Sequence, residues 1–222
     1  MKPSIAIDGP AGAGKSTVAR EAAARLGLTY LDTGAMYRAI TLAGLRRGTD
    51  IHDASALEAL TKTIDLDIQN DSTGQNVIFL DGENVTEDIR LPIVNRNVSF
   101  VARCPQVREI LVDKQRKIGS RGGVVMDGRD IGTVVMPSAE FKFFLNASLA
   151  ERSRRRLAEL SAKGEELELE QMMKEIAARD KIDSEREVAP LRPAEDAIYL
   201  DTTLMTIEAV VETIVRAVRK EE

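Results

Sequence analysis

The chain has 222 residues, with 31 Lys+Arg against 36 Asp+Glu and a formal net charge of −5. That acidic balance argues against a nucleic-acid polymer as partner, which calls for a basic field. A 43% hydrophobic fraction beside 30% charged residues fits one large globular unit that buries its own core.

Residues 4–7 form a brief apolar run, read as a buried strand. Residues 15–26 place Val18, Ala22, Ala23 and Leu26 on one helical face before Gly27, which suits a helix C-terminus. Residues 29–31 read as a second strand, and 35–47, ended by Gly48, as a second helix. Asp53 can cap a helix over 54–63. The rhythm then breaks. Leu66 and Ile68 alternate with polar residues, 71–74 make a turn, and 76–80 form a strand closed by Asp81-Gly82. Residues 60–100 are therefore read as an antiparallel insert on the main sheet. Pro105 opens a helix to about residue 118. Runs 124–126, 141–145 and 198–200 are three more buried strands, and 149–160, 169–179 and 207–219 are helices. Five short apolar strands alternating with helices predict an α/β fold around a parallel sheet. No stretch approaches the roughly 20 apolar residues of a membrane span, and the apolar run in MKPSIAIDGP is too short for a signal peptide. A single cysteine, Cys104, leaves no intrachain disulfide, so a soluble cytoplasmic protein is expected.

Gly9-Pro10-Ala11-Gly12-Ala13-Gly14-Lys15-Ser16 fits G-x-x-x-x-G-K-[ST] between a strand and a helix. Such a loop wraps backbone N–H groups round a phosphate and aims a helix N-terminus at it. With Thr17 it makes an ATP site in which Lys15 reaches the β- and γ-phosphates and Ser16 ligates Mg²⁺. The strand at 124–126 ends in Asp127, a carboxylate at the carboxyl edge of the sheet, expected to help hold Mg²⁺ through water. Asn146-Ala147-Ser148-Leu149 does not fit the guanine-reading N-K-x-D of a GTPase.

Arginine outnumbers lysine by 21 to 10. Arg is the better residue for forked recognition of phosphate or carboxylate. Arg152, Arg155 and Arg156 share one helical face by spacing, and Arg179, Asp183 and Arg186 repeat it, on either side of the acidic run 165–170. A closing lid that brings arginines onto a transferring phosphoryl group is expected. The only histidine, His52, is expected at the surface.

Four blocks together resemble the bacterial cytidylate kinase family: 7–17, 31–38 (Leu-Asp-Thr-Gly-Ala-Met-Tyr-Arg), 127–135 (Asp-Gly-Arg-Asp-Ile-Gly-Thr-Val-Val) and Arg179-Asp180 through Val188-Ala189-Pro190-Leu191. The resemblance runs from residue 3 to about 215. It implies transfer of the γ-phosphate of ATP to CMP or dCMP, and a single P-loop kinase domain. The core would be about 1–30, 105–148 and 190–222, with a five-stranded parallel sheet. The monophosphate-binding region with its insert would be about 31–104, and a helical lid about 149–189. It further implies that Arg38, Arg129 and Arg186 hold the acceptor phosphate and that Ser99, Arg108 and Asp130 read cytosine. Arg179 and Asp183 would meet the sugar, Thr33 and Tyr37 would line the pocket, and Arg152 and Arg156 would serve the lid. A monomer binding ATP with Mg²⁺ is implied. The acceptor phosphate is already ionised near pH 7, so no strong general base is needed. A carboxylate accepts from the N4 amino group of cytosine and repels O4 of uracil, so Asp130 is expected to favour CMP over UMP. The residues alone leave open a kinase of another small acceptor, such as adenylate or shikimate, or a nucleotide-binding switch without transfer activity.

Overall fold

The computed structural model describes residues 2–162, 164 and 167–220. Glu165 and Glu166 of the acidic run lie outside the described residues. In chain order the core strands are β1 (Ile5–Asp8) and β2 (Thr29–Asp32), with helix α1 (Lys15–Leu26) between them and α2 (Thr33–Arg46) after. Helix α3 (Ala54–Thr63) leads into strands β3 (Leu66–Asn70), β4 (Asn76–Leu80) and β5 (Glu83–Asn84). Helices α4 (Pro92–Ala102) and α5 (Pro105–Gly119) follow, then β6 (Val124–Gly128), β7 (Phe141–Asn146), α6 (Leu149–Ser161), α7 (Leu169–Glu185), β8 (Ile198–Asp201) and α8 (Ile207–Lys220).

The main sheet has the order β2-β6-β1-β7-β8, and each adjacent pair is parallel. Alternation along β1 sorts the core into layers. Ile5 and Ile7 pack with Val125, Phe143 and Leu145 under α1 and α8, which supply Val18, Ala22, Val211 and Ile214. Ala6 faces the other way with Leu31, Met126, Val112 and Ile131. Each such fully buried aliphatic side chain stabilises by roughly 1.5–3 kcal/mol. Because β1 is central, its carboxyl end opens between the ends of β6 and β7, the usual crevice for ligands in an open α/β sheet. No helix among the described residues is long and apolar enough to cross a membrane.

Four expectations need correction. The antiparallel strands form a separate three-stranded sheet, β3-β4-β5, and not an extension of the main one. It is joined to the edge of the main sheet by side chains: Asn76 Nδ2 donates to Tyr30 O (2.9 Å), and Asp32 N donates to Asn76 Oδ1 (2.6 Å). The sheet ends at Asn84, and 92–102 is helical, opened by Pro92 in its first turn. Helix α7 runs six residues past Arg179, to Glu185. β8, expected to be buried, is an exposed edge strand, with Tyr199 stacked on Phe144 at 5.7 Å. α2 begins at Thr33 because the Asp32 carboxylate accepts from Ala35 N (3.0 Å) and caps it.

Candidate active site

The phosphate loop leaves β1 at Gly9, whose φ of 150° and whose position 2.0 Å (as a virtual Cβ) from Leu145 O exclude any side chain. A Cβ on Gly12, at φ 75°, would stand 3.0 Å from Arg152 O and 3.1 Å from Arg152 Cβ, so the loop passes close to α6 there. α1 has no side-chain N-cap, which leaves its first-turn N–H groups for an anion. Lys15 is buried and donates Nζ to Pro10 O (2.7 Å). Burial first, and then the Arg129 and Arg179 charges, hold its pKa well below the ordinary lysine value.

Ser16 Oγ donates to Asp127 Oδ2 (2.9 Å), and Tyr30 OH donates to Asp127 Oδ1 (2.8 Å). Burial, with the neighbouring Asp32 charge, pushes Asp127 up to about 6. A hydroxyl beside a carboxylate fits a hard divalent cation. Among the described residues no group of three or more His, Cys, Asp or Glu side chains could hold a metal. A cation here would thus complete its shell with phosphate oxygens and water, as Mg²⁺ does.

Across the cleft, Asp130 is buried between two arginines. Its Oδ2 accepts from Arg108 and its Oδ1 from Arg186 (3.2 Å). Asp183 is the second such node: Oδ2 accepts from Arg129 Nε (2.9 Å) and Oδ1 from Ser99 Oγ (3.2 Å). Burial alone would raise Asp183, but Arg129, Arg179 and Arg186 hold it below the ordinary carboxylate value. Arg108 lies over the Tyr37 ring at 5.6 Å. Thr33 Oγ1 donates to Asp127 O (2.7 Å), and Arg38 Nε to Asn95 Oδ1 (3.3 Å). Burial lowers Arg38 and takes Arg179 down to about 9, with the Arg129 and Arg38 charges adding to the latter. Tyr37 OH, Arg108 Nε and Arg179 Nε are buried with no hydrogen-bond partner. A buried donor left unpaired costs roughly 1–3 kcal/mol, and three of them in one cleft set out a site for a polar, anionic ligand.

The structure thus brings Thr33, Tyr37, Arg38, Ser99, Arg108, Arg129, Asp130, Arg179, Asp183 and Arg186 together opposite the phosphate loop. The three arginines of α6 diverge, against the shared face expected from spacing. Arg152 turns under the phosphate loop, donating to Ala11 O (2.9 Å) and Ala147 O (2.9 Å) and pairing with Asp180. Arg155 donates to Thr202 O (2.6 Å) and Glu151. Arg156 pairs with Glu159 on its own helix (2.7 Å). His52 is exposed, edge-on to Phe100 at 4.9 Å.

Sequence reasoning passed over two carboxylates. Asp180 Oδ1 accepts from Ala11 N (3.2 Å), joining α7 to the phosphate loop. Asp8 accepts from Ile131 N and Gly132 N, each at 2.8 Å. Burial pushes Asp8 up to about 7. An acidic residue closing an otherwise apolar central strand was a signal that could have marked Asp8.

A sequence profile described as cytidylate kinase matches residues 5–220. A cytidylate kinase of Caldanaerobacter subterraneus is 54% identical over 216 residues, covering 97% of this chain and 94% of that protein. One of Bacillus pumilus is 52% identical over 221 residues, covering 100% and 98%. The crystal structure of an uncharacterised protein from Eubacterium ventriosum, 9% identical and covering 99% of each chain, superposes with a TM-score of 0.54 and shares the fold. On the match over nearly its whole length and on identities above half, the chain belongs to the cytidylate kinase family.

Proposed function

We propose that the protein transfers the γ-phosphoryl group of ATP to CMP or dCMP, yielding ADP and CDP or dCDP. The observation that carries this reading is the buried Asp130, held by Arg108 and Arg186, at the far side of a cationic cleft whose near side is the phosphate loop. A carboxylate oriented by two guanidiniums can accept from a cytosine amino group while repelling a uracil carbonyl. Ser99 and Arg108 complete the base site in this reading. Arg38, Arg129 and Arg186 take the acceptor phosphate, Arg179 and Asp183 the sugar, and Thr33 and Tyr37 the pocket wall.

The phosphate oxygen of CMP is its own nucleophile, so the protein contributes position and charge compensation. Lys15 leaves Pro10 O for the donor phosphates. Arg152, already against Ala11, and Arg156, once released from Glu159, neutralise the charge passing between donor and acceptor. Ser16 and Asp127 would hold Mg²⁺, whose chemistry when bound is to neutralise the phosphate chain and polarise its oxygens. Residues of about 149–189 act as the lid and 31–104 as the acceptor region in this scheme.

The test is ADP formation from ATP with CMP, dCMP, UMP, AMP and shikimate side by side, with Mg²⁺ and with chelator. CMP and dCMP should dominate, and chelator should abolish turnover. Comparable kcat/KM for UMP or AMP would overturn the assignment of the acceptor. CMP binding without ADP formation would leave a switch instead of a kinase.

A further inference from the structure

Asp8 has no part in the scheme above, yet it is 3% exposed and sits where the donor and acceptor halves of the cleft meet. It is the last residue of β1, and the phosphate loop begins at the next one. We propose that Asp8 is a positioning residue for acceptor recognition: its carboxylate ties the turn 128–132 to the root of the phosphate loop and so sets where Arg129 and Asp130 stand. The proposal rests on the CMP kinase reading.

The turn is pinned at both ends. Gly128 is paired in the sheet with Asp8 itself, through the parallel register of β1 and β6. A Cβ on Gly128 would come within 2.7 Å of Thr33 Oγ1 and of the Ile131 side chain, so only glycine fits this close approach. At the other end the two Asp8 oxygens take the consecutive N–H groups of Ile131 and Gly132, at 2.8 Å each. Between these pins stand only Arg129 and Asp130, which reach Asp183 on one side and Arg108 and Arg186 on the other. The Asp130 carbonyl accepts from both Val134 N (2.9 Å) and Val135 N (3.2 Å), the start of a π-helical turn over Ile131–Val135.

The chemistry singles out a carboxylate at position 8. Two adjacent N–H donors need two acceptor oxygens. Asn offers one, and its NH₂ would face the second donor. The charges facing Asp8 are Lys15 from α1 and Asp130 from the turn. On the β7 side, Lys142 is taken up by Asp196 and Pro137 O. An exclusively structural carboxylate, when removed, would weaken the fold and lower kcat for every acceptor alike. A positioning residue acts on Arg129 and Asp130, and so on acceptor affinity and base choice.

The experiment compares wild type with Asp8→Asn and with Gly132→Ala. The latter keeps the carboxylate but puts a Cβ at contact distance from Asp8 Oδ2 (3.4 Å) and tight against the Lys142 side chain (3.2 Å), which Asp196 and Pro137 O hold, so the crowding falls on the clamped segment. Steady-state KM and kcat for CMP and UMP are measured beside ADP affinity by calorimetry. Loss of one of the two clamp hydrogen bonds should raise the KM for CMP roughly tenfold in Asp8→Asn and cut the CMP-over-UMP preference about fivefold or more, with kcat and ADP affinity within about threefold. Gly132→Ala should move the same two quantities in the same direction, and carries the test if Asp8→Asn does not fold. Unchanged preference in the folded variants, or equal losses in kcat, KM and ADP affinity, overturns the proposal. Failure of the wild-type protein to turn over CMP is a different result, and overturns the kinase reading itself.

Discussion

Replacing Asp130 with Asn tests the proposed reading of the base most directly. In the structure Asp130 is 5% exposed, and its carboxylate accepts from two arginines whose side chains are themselves almost wholly buried. Asn removes the negative charge and leaves one acceptor oxygen for two guanidiniums. Removing one partner of a buried ion pair costs about 3–5 kcal/mol, and the retained oxygen offsets part of this, so a loss of about 2–4 kcal/mol is expected. At roughly 2–4 °C per kcal/mol for a chain of this size, Tm should fall by about 5–12 °C. The effect on selectivity has the same origin but a different readout. A charge-assisted bond to the cytosine amino group is lost, and the new amide can donate to the uracil O4. Sites whose buried polar groups are mismatched discriminate by up to ~10⁴-fold, so the ratio of kcat/KM for CMP over UMP should fall by about 10²-fold or more. A coupled ADP assay with both acceptors gives this ratio, and general damage to the cleft cancels in it. A folded Asp130→Asn protein with an unchanged ratio would refute the assignment of Asp130 as the reader of the base.

Asp183→Ala should raise the KM for CMP by about tenfold or more and leave that for ATP within about twofold, in steady-state kinetics, because it removes the acceptor shared by Ser99 and Arg129. Arg152→Ala should lower kcat by about 10²–10³-fold with little change in the KM for CMP, since its guanidinium lies against the phosphate loop at Ala11 and not in the acceptor pocket. Asp8 should also be visible in stability against pH. Its folded-state pKa, about 7, lies above the ordinary carboxylate value of 3.8, so its stabilising contribution is full below about pH 4 and is lost as pH rises through 7. The Tm of wild type minus that of Asp8→Asn should therefore fall between about pH 4 and 7, by the equivalent of up to ~4 kcal/mol. A difference that stays flat over that range would refute the raised pKa.

What was legible in the sequence was what is local along the chain. The strand, phosphate loop and helix over 5–26 announce themselves because glycine spacing, an apolar run and a helical stripe lie side by side. Asp127 was legible for the same reason, as a carboxylate at the end of an apolar strand. The separate sheet was misplaced because a hairpin pattern says which strands pair but not which edge they meet. That is decided by Asn76, 46 residues from the Tyr30 carbonyl it bonds. β8 reads as buried by composition, and only the strand order puts it at an edge. The arginines of α6 share a face on a helical wheel, yet their partners lie on different elements, and long side chains follow the partners. Asp8 and Asp180 went unread because their bonds span 123 and 169 residues. Periodicity carries no trace of such contacts.

The side-chain joint between Asn76 and β2 has a consequence for self-association. A parallel sheet with five strands has two open margins, each a row of backbone donors and acceptors that another chain could extend. On the β2 margin, Asn70 and Asn76 take up the Tyr30 carbonyl and the Asp32 N–H from the side, with no backbone strand alongside. Amide side chains thus act there as terminators: they satisfy the edge without continuing the ladder. The opposite margin, β8, is only four residues long and ends in Asp201, so it relies on brevity and a terminal charge. The two margins are thus guarded by different means, and the β8 margin, relying on brevity and a terminal charge alone, is the less protected of the two.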